Sequence, residues 1–305
     1  MRSSVILSRR ASIGFNELTS NSDSHTWRIG SARLDIARMR LIATSDIPIL
    51  TAEDLPGRDI TFIADPFQIA LQDTTYVFVE AWSRSVQRGQ IAVFALNASG
   101  QVMDSAIVLA EPFHLSYPCV FSYRGHFYLL PEAWESGQLL LYRARSFPWN
   151  WERFSVLLEL DYADPQIFFH RNLWYIFLNT DPLTNATGAV FWSESPLENW
   201  RPHVQNPVFR NDRLQARSAG SLMKHGGRIF RFSQNCSSRY GQGVFASEIV
   251  ELSPSGVRTI PIGLVQLDRP DWARDGFHHL DMFLDKGVHY ALFDGYTGVL
   301  DPEPK

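Results

Sequence analysis

Two cysteines in 305 residues, Cys119 and Cys236, are too few for a disulfide framework. Both fall inside apolar strand-like runs and read as buried free thiols. No apolar run reaches the length of a membrane helix, and residues 1 to 25 lack the apolar core of a signal peptide. The expectation is therefore a cytoplasmic protein without membrane insertion. With 28 basic against 32 acidic residues, a net charge of -4, the chain has no polybasic footprint for nucleic acid or an anionic surface. Three N-x-[ST] sequons, at Asn97, Asn185 and Asn235, are then expected to be turn residues. Helix start and stop signals are scarce. Residues 1 to 24 are polar and without periodicity, so a disordered leader is expected ahead of a single domain over residues 25 to 305.

What is present is a repeat. In FIADPFQIALQDTTYVFVEAW, Phe62 to Trp82, an apolar run leads through a turn to a second apolar run that ends on a polar residue. With Asp65 as position zero, an aromatic, Tyr76, lies at position eleven and Glu80 at position fifteen. The same offsets give Tyr117, Tyr128 and Glu132, then Asp164, Tyr175 and Asn179. They recur as Ala219, Phe230 and Gln234, and as His279, Tyr290 and Asp294. The five starts stand 47 to 60 residues apart, which is the spacing of propeller blades. Turns such as QDTT, YRGH and HGGR supply the Gly, Asn and Asp that hairpins need.

The fifth copy has room for two strands only, since it starts at His279 and the chain ends at Lys305. The stretch from Trp27 to Thr44 alternates like one or two strands, although Ala32 to Ile42 also reads as a short helix. The missing strands decide for the first reading, so the N-terminal strands are predicted to close the last blade. The predicted fold is all-β, a five-bladed β-propeller with four antiparallel strands per blade.

A blade's first strand starts at one rim and its hairpin returns there, so positions zero and fifteen face one mouth of the channel. Asp65, Tyr117, Asp164, Ser218 and His279 would line it, with Glu80, Glu132, Asn179, Gln234 and Asp294 beside them. His114, Arg217 and His278 precede position zero in their blades and add to the set. Such polar groups either form a site or hydrogen-bond neighbouring blades and plug the channel. Tyr117, Trp82 and Trp134 are candidate stacking faces for a sugar. His278, His279 and Asp281 cluster near Asp65 on ring closure, but adjacent strand residues point to opposite faces, so no metal is expected. No cofactor is called for.

The motifs ADPF at Ala64, HLSYP at His114 to Pro118, PE at Pro131 and LYRA with FPWNW at Leu141 to Trp151 combine with several in the second half of the chain. Those are NPV at Asn206, ARSAG at Ala216 to Gly220, RFSQ at Arg231, YG at Tyr240 and HHLD at His278. Together they resemble the propeller domain at the N-terminus of glucosamine inositolphosphorylceramide transferases, a domain also found free-standing in bacteria. At greater distance the fold is similar to glycoside hydrolase family 43 and its arabinanase and fructosidase relatives. That likeness implies Asp65 as base or nucleophile and Asp164 as the carboxylate that tunes the acid. The glutamic acid that opens blade four in that group is absent, because blade four here reads Ala216-Arg217-Ser218-Ala219-Gly220. Glu80 or Glu132 would then supply the proton. Alternatively Arg217, with Arg231 and His278, would hold the phosphate of an anionic sugar donor while Asp65 acts as base. Arg217 also reads as a structural ion-pair partner of Asp65 or Asp164. The implied functions are glycosyl transfer or cleavage, or recognition of a glycan or nucleotide sugar on behalf of a separate glycosyltransferase.

Overall fold

The computed structural model describes residues 26 to 298, apart from 56 and 58, so the leader lies outside the described residues. Five sheets stand around a channel. Blade one runs outward as Ile60–Leu71, Thr74–Ser83, Arg88–Leu96 and Val102–Leu109. Blade two is Ser116–Tyr123, His126–Glu132, Gln138–Ser146 and Asn150–Glu159. Blade three is Ala163–His170, Leu173–Asn179, Gly188–Ser193 and the two-residue Arg201–Pro202. Blade four is Met223–His225, Arg228–Gln234, Val244–Leu252 and Val257–Leu264.

The repeat register is the pairing register. Position four lies opposite position eleven in every blade: Ile69 with Tyr76, Phe121 with Tyr128, Phe168 with Tyr175, Met223 with Phe230 and Phe283 with Tyr290. In blades one to three a bulge follows position zero, and Asp65, Tyr117 and Asp164 sit there at φ of 53°, 47° and 48°. A proline follows each, at a place where a bulge needs no ladder N–H. Holding a side-chain-bearing residue in this left-handed region costs about 1–3 kcal/mol, and such strain gathers where side chains must be aimed.

The N-terminal strand Arg28–Asp35 pairs with Val288–Gly295, from Arg28 opposite Gly295 to Arg33 opposite Tyr290. With Arg40–Ala43 it completes the blade begun by Leu280–Asp285, and the short-helix alternative for Ala32 to Ile42 does not form. One strand was not foreseen: Gln266–Asp268 adds to this blade in parallel, alongside Arg40 to Ile42. It is only three residues long and leaves no apolar period to detect.

The core lies between blades. Along Thr74–Ser83, Val77 and Val79 face blade five while Phe78 faces blade two. Phe177 packs toward blade four and Ile176 with Leu178 toward blade two. Both faces of the inner strands are therefore buried, which is why they read as unbroken apolar runs. Cys119 and Cys236 are buried and not joined in a disulfide, as expected. No helix among the described residues is long and apolar enough to cross a membrane.

Gly30 sits where the closing strand meets the last blade, and a Cβ there would come within 2.6 Å of the Trp272 ring and 2.7 Å of Phe293. Gly30→Val should lower stability by about 2 kcal/mol through overpacking, read as a shift in the urea midpoint. An unchanged midpoint would mean that ring closure does not limit stability.

Candidate functional site

The bulges aim Asp65 and Asp164 at one mouth, and at two joints between blades position fifteen of one blade holds position zero of the next. Glu132 Oε2 accepts the Asp164 N–H at 2.9 Å, and Asp294 Oδ2 accepts the Asp65 N–H at 3.1 Å. Asp294 Oδ1 also takes the N–H groups of His278 and His279, both at 3.0 Å. Some of the polar set therefore bridges blades, one of the two roles open from sequence.

Asp164 lies under a guanidinium. Its Oδ2 accepts Arg217 Nε at 2.5 Å and Gln234 Nε2 at 2.6 Å. Arg217 Nη1 donates to Asn185 Oδ1 at 3.0 Å, Nη2 is 3.8 Å from Glu132, and the plane lies 5.0 Å from the Tyr240 ring centre. Arg217 is thus paired with Asp164, one of the two partners named for it from sequence.

Asp65 forms the other half of the mouth. Its Oδ2 accepts the Tyr117 N–H at 3.2 Å, while Oδ1 has no donor and lies 3.6 Å from His278 Nε2 and 3.4 Å from His279 Nδ1. His278 Nδ1 is 2.8 Å from Asp294 Oδ2. Glu80 stands beside His114, 3.7 Å away, and His114 Nδ1 accepts the Gly89 N–H at 2.9 Å. Below the mouth, Tyr117 plugs the channel: its hydroxyl meets Gly220 N and O at 2.8 and 3.0 Å, and its ring is enclosed by Phe67 and His279. Gln166 Nε2 also reaches the Gly220 carbonyl.

Two expected members lie elsewhere. Arg231 is fully buried between blades three and four, donating to the Gln215 carbonyl at 2.7 Å and lying over Phe177 and Phe209. It alternates with Phe230 and Phe232 along its strand and so faces the neighbouring blade rather than the mouth. Asp281 lies deeper, accepting the Gln68 N–H at 2.8 Å. Of the stacking candidates, Tyr117 offers no open face, Trp82 is buried against Phe62 and His114, and Trp134 is half-buried in a short turn. Three other residues complete the site. Asn185, at φ 57°, belongs to a turn that the sequon reading recognised without its role, Tyr240 covers Arg217, and Trp27 packs on His278 at 4.3 Å. Only the YG motif gave a signal for Tyr240.

The protonation pattern follows from burial. Desolvation raises Glu80 well above the usual carboxylate range, helped by the charge on Asp65, and it raises Glu132 likewise beside Asp164. Burial would raise Asp65 too, but His279, His278 and Arg217 outweigh it and hold the carboxyl at about 2. Desolvation holds His114 down to about 4, hence neutral. The mouth thus holds one carboxyl pushed down and two pushed up, an arrangement suited to dividing the roles of base and acid. Asp65, His278 and Asp294 offer ligand atoms within 4.8 Å of one another. Asp294, however, already spends both oxygens on three backbone N–H groups and the His278 ring.

A carboxyl whose folded pKa is raised weakens folding as pH climbs above its unfolded value near 4.5, where only the unfolded chain ionises. Glu132→Gln should therefore be neutral or stabilising at pH 8, with the gain shrinking toward pH 4. Urea titrations at the two pH values test this, and a loss at pH 8 would mean that Glu132 is ionised. Arg217→Ala leaves Asp164 buried without its cation and should cost about 3 kcal/mol. A change within error would make the pair dispensable.

Residues 43–296 match the family described as glucosamine inositolphosphorylceramide transferase 1, N-terminal. A protein of that name from Oryza sativa subsp. japonica is 33% identical over 250 residues, covering 78% of this chain and 34% of the relative. The Arabidopsis thaliana protein is 32% identical over 262 residues, 81% of this chain and again 34% of the relative. This chain therefore spans about a third of the length of the curated relatives it matches. Among solved structures, an alpha-L-arabinofuranosidase from Podospora anserina aligns with a TM-score of 0.62 at 14% identity, covering 81% of this chain and 88% of that one. The catalytic domain of a family 62 alpha-L-arabinofuranosidase from Coprinopsis cinerea gives 0.61 at 12% identity, with 92% and 93% covered. At such identity these likenesses concern the fold alone.

Proposed function

This chain belongs to the family of glucosamine inositolphosphorylceramide transferase 1 N-terminal domains, and from that premise we propose a carbohydrate-active propeller that transfers or cleaves a glycosyl unit at the channel mouth. The carrying observation is the gathering of three buried carboxyls at one mouth, Asp65 between His278 and His279, Glu132 on the Asp164 N–H and Glu80 beside His114, surroundings that push the first down and the other two up. Asp65 acts as base or nucleophile, and Glu132, whose neighbour Asp164 is tied to Arg217, gives up its proton to the leaving oxygen. Glu80 is the alternative acid. His114, Tyr117, Gln234, His278, His279 and Asp294 hold these carboxyls and shape the mouth for the sugar.

A second reading has its own support. The relatives carry this domain as about a third of a longer transferase, which suits a module that recognises a glycan or nucleotide sugar for a separate glycosyltransferase. In that case the ligand would meet the mouth without being turned over.

One experiment separates the two. Thermal-shift binding to nucleotide sugars, sugar phosphates and neutral oligosaccharides identifies a ligand, whose turnover is then followed in wild type and Asp65→Asn. For an enzyme, Asp65→Asn should keep binding and lose turnover by on the order of 100-fold or more. Binding with no turnover by wild type would support the recognition module, and no stabilisation by any member of the panel would overturn both readings.

A further inference from the structure

His278 is held more tightly than a residue that only fills space. Its backbone N–H donates to Asp294 Oδ1 at 3.0 Å, and its Nδ1 lies 2.8 Å from the other oxygen of the same carboxylate. The Trp27 ring covers one side at 4.3 Å and the Tyr240 ring meets it edge-on at 5.0 Å. With the ring packed on two sides and Nδ1 against Asp294, Nε2 lies 3.6 Å from Asp65 Oδ1, an oxygen with no hydrogen-bond donor among the described residues. Asp65 is fixed at its other end by the Tyr117 N–H. His279 Nδ1 faces the same oxygen at 3.4 Å, from a ring set between Phe67 and Tyr117 in the channel, whereas His278 meets it from the Trp27 and Tyr240 side.

We propose that His278, clamped by Asp294 and covered by Trp27 and Tyr240, is the positioning residue that aims the free oxygen of Asp65 into the mouth. This rests on reading Asp65 as the mouth's base. The groups facing His278 are Asp294 from the last blade, Asp65 from the first, Asp164 from the third, and the Tyr240 phenol, with Arg217 on the far side of that phenol. Burial alone would lower the imidazole's pKa, but Asp294, Asp65 and Asp164 outweigh it and raise it. The resulting stabilisation is complete below the unfolded histidine value near 6.5 and is lost as pH rises through the folded one. At 3.6 Å the contact with Asp65 is a charge interaction rather than a hydrogen bond, and it tightens if Asp65 turns toward a substrate.

Trp27 reports on this without any substrate, because a protonated imidazole in contact with an indole quenches its emission. Tryptophan emission of the whole chain is titrated from about pH 5 to about pH 9, and the same curve for Trp27→Phe is subtracted. The Trp27 component should brighten with a midpoint above the ordinary histidine value, and His278→Gln should abolish the transition. Asp65→Asn should lower the midpoint by about one pH unit, and Asp294→Asn by more, since an opposite charge this close shifts a pKa by roughly 1–3 units. Should Asp294→Asn fail to fold, which circular dichroism would reveal, Asp65→Asn alone decides. A midpoint unmoved by Asp65→Asn, or a transition that survives His278→Gln, overturns the proposal. Coupling that is intact in a protein without carbohydrate turnover would instead strike the reading of Asp65 as a base and leave the pairing standing.

Discussion

Asp294 is where the closure of the ring and the construction of the mouth become one constraint. Its strand is the one that the N-terminal Arg28–Asp35 zips onto, so its position is set only when the first and last parts of the chain meet. Its two oxygens then take N–H groups from His278, His279 and, across the joint between blades, Asp65. A buried carboxylate with three such donors is satisfied as fully as one in water, and each donor is a backbone group of the mouth. Release of the N-terminal strand would therefore loosen Asp65 as well as one blade.

The five-fold architecture was legible because both the repeat and its register are set by local pattern. Position four opposite position eleven is a hairpin property, fixed by turn length and by apolar residues on both faces of an inner strand. The closing role of Trp27 to Thr44 was legible by subtraction, since a blade short of two strands exposes an edge. The mouth was legible in membership and less so in roles. Asp65, Glu80, Glu132, Asp164, His278 and Asp294 are gathered there by the same offsets, but an offset does not say which face a residue takes. Arg231 shows the difference: two apolar neighbours in sequence fix its alternation, and the alternation sends it into the blade interface. Asn185 and Tyr240 sit in loops between strands, where no period exists to place them.

Blade four shows how close approach of backbone shapes the mouth. Gly220 has φ of 89°, and a Cβ on it would stand 1.9 Å from the Leu280 carbonyl oxygen. The bare backbone lets the Tyr117 hydroxyl cross the channel and bond both its N–H and its carbonyl. No side chain fits at residue 220 in that approach, and Arg217, three residues earlier, reaches back to Asp164. Asp164 is thereby neutralised by a permanent cation rather than left to act through a neighbouring acid. Under the proposed function, Glu80 and Glu132 of blades one and two, whose carboxyls burial pushes upward, take the part of the acid that blade four lacks.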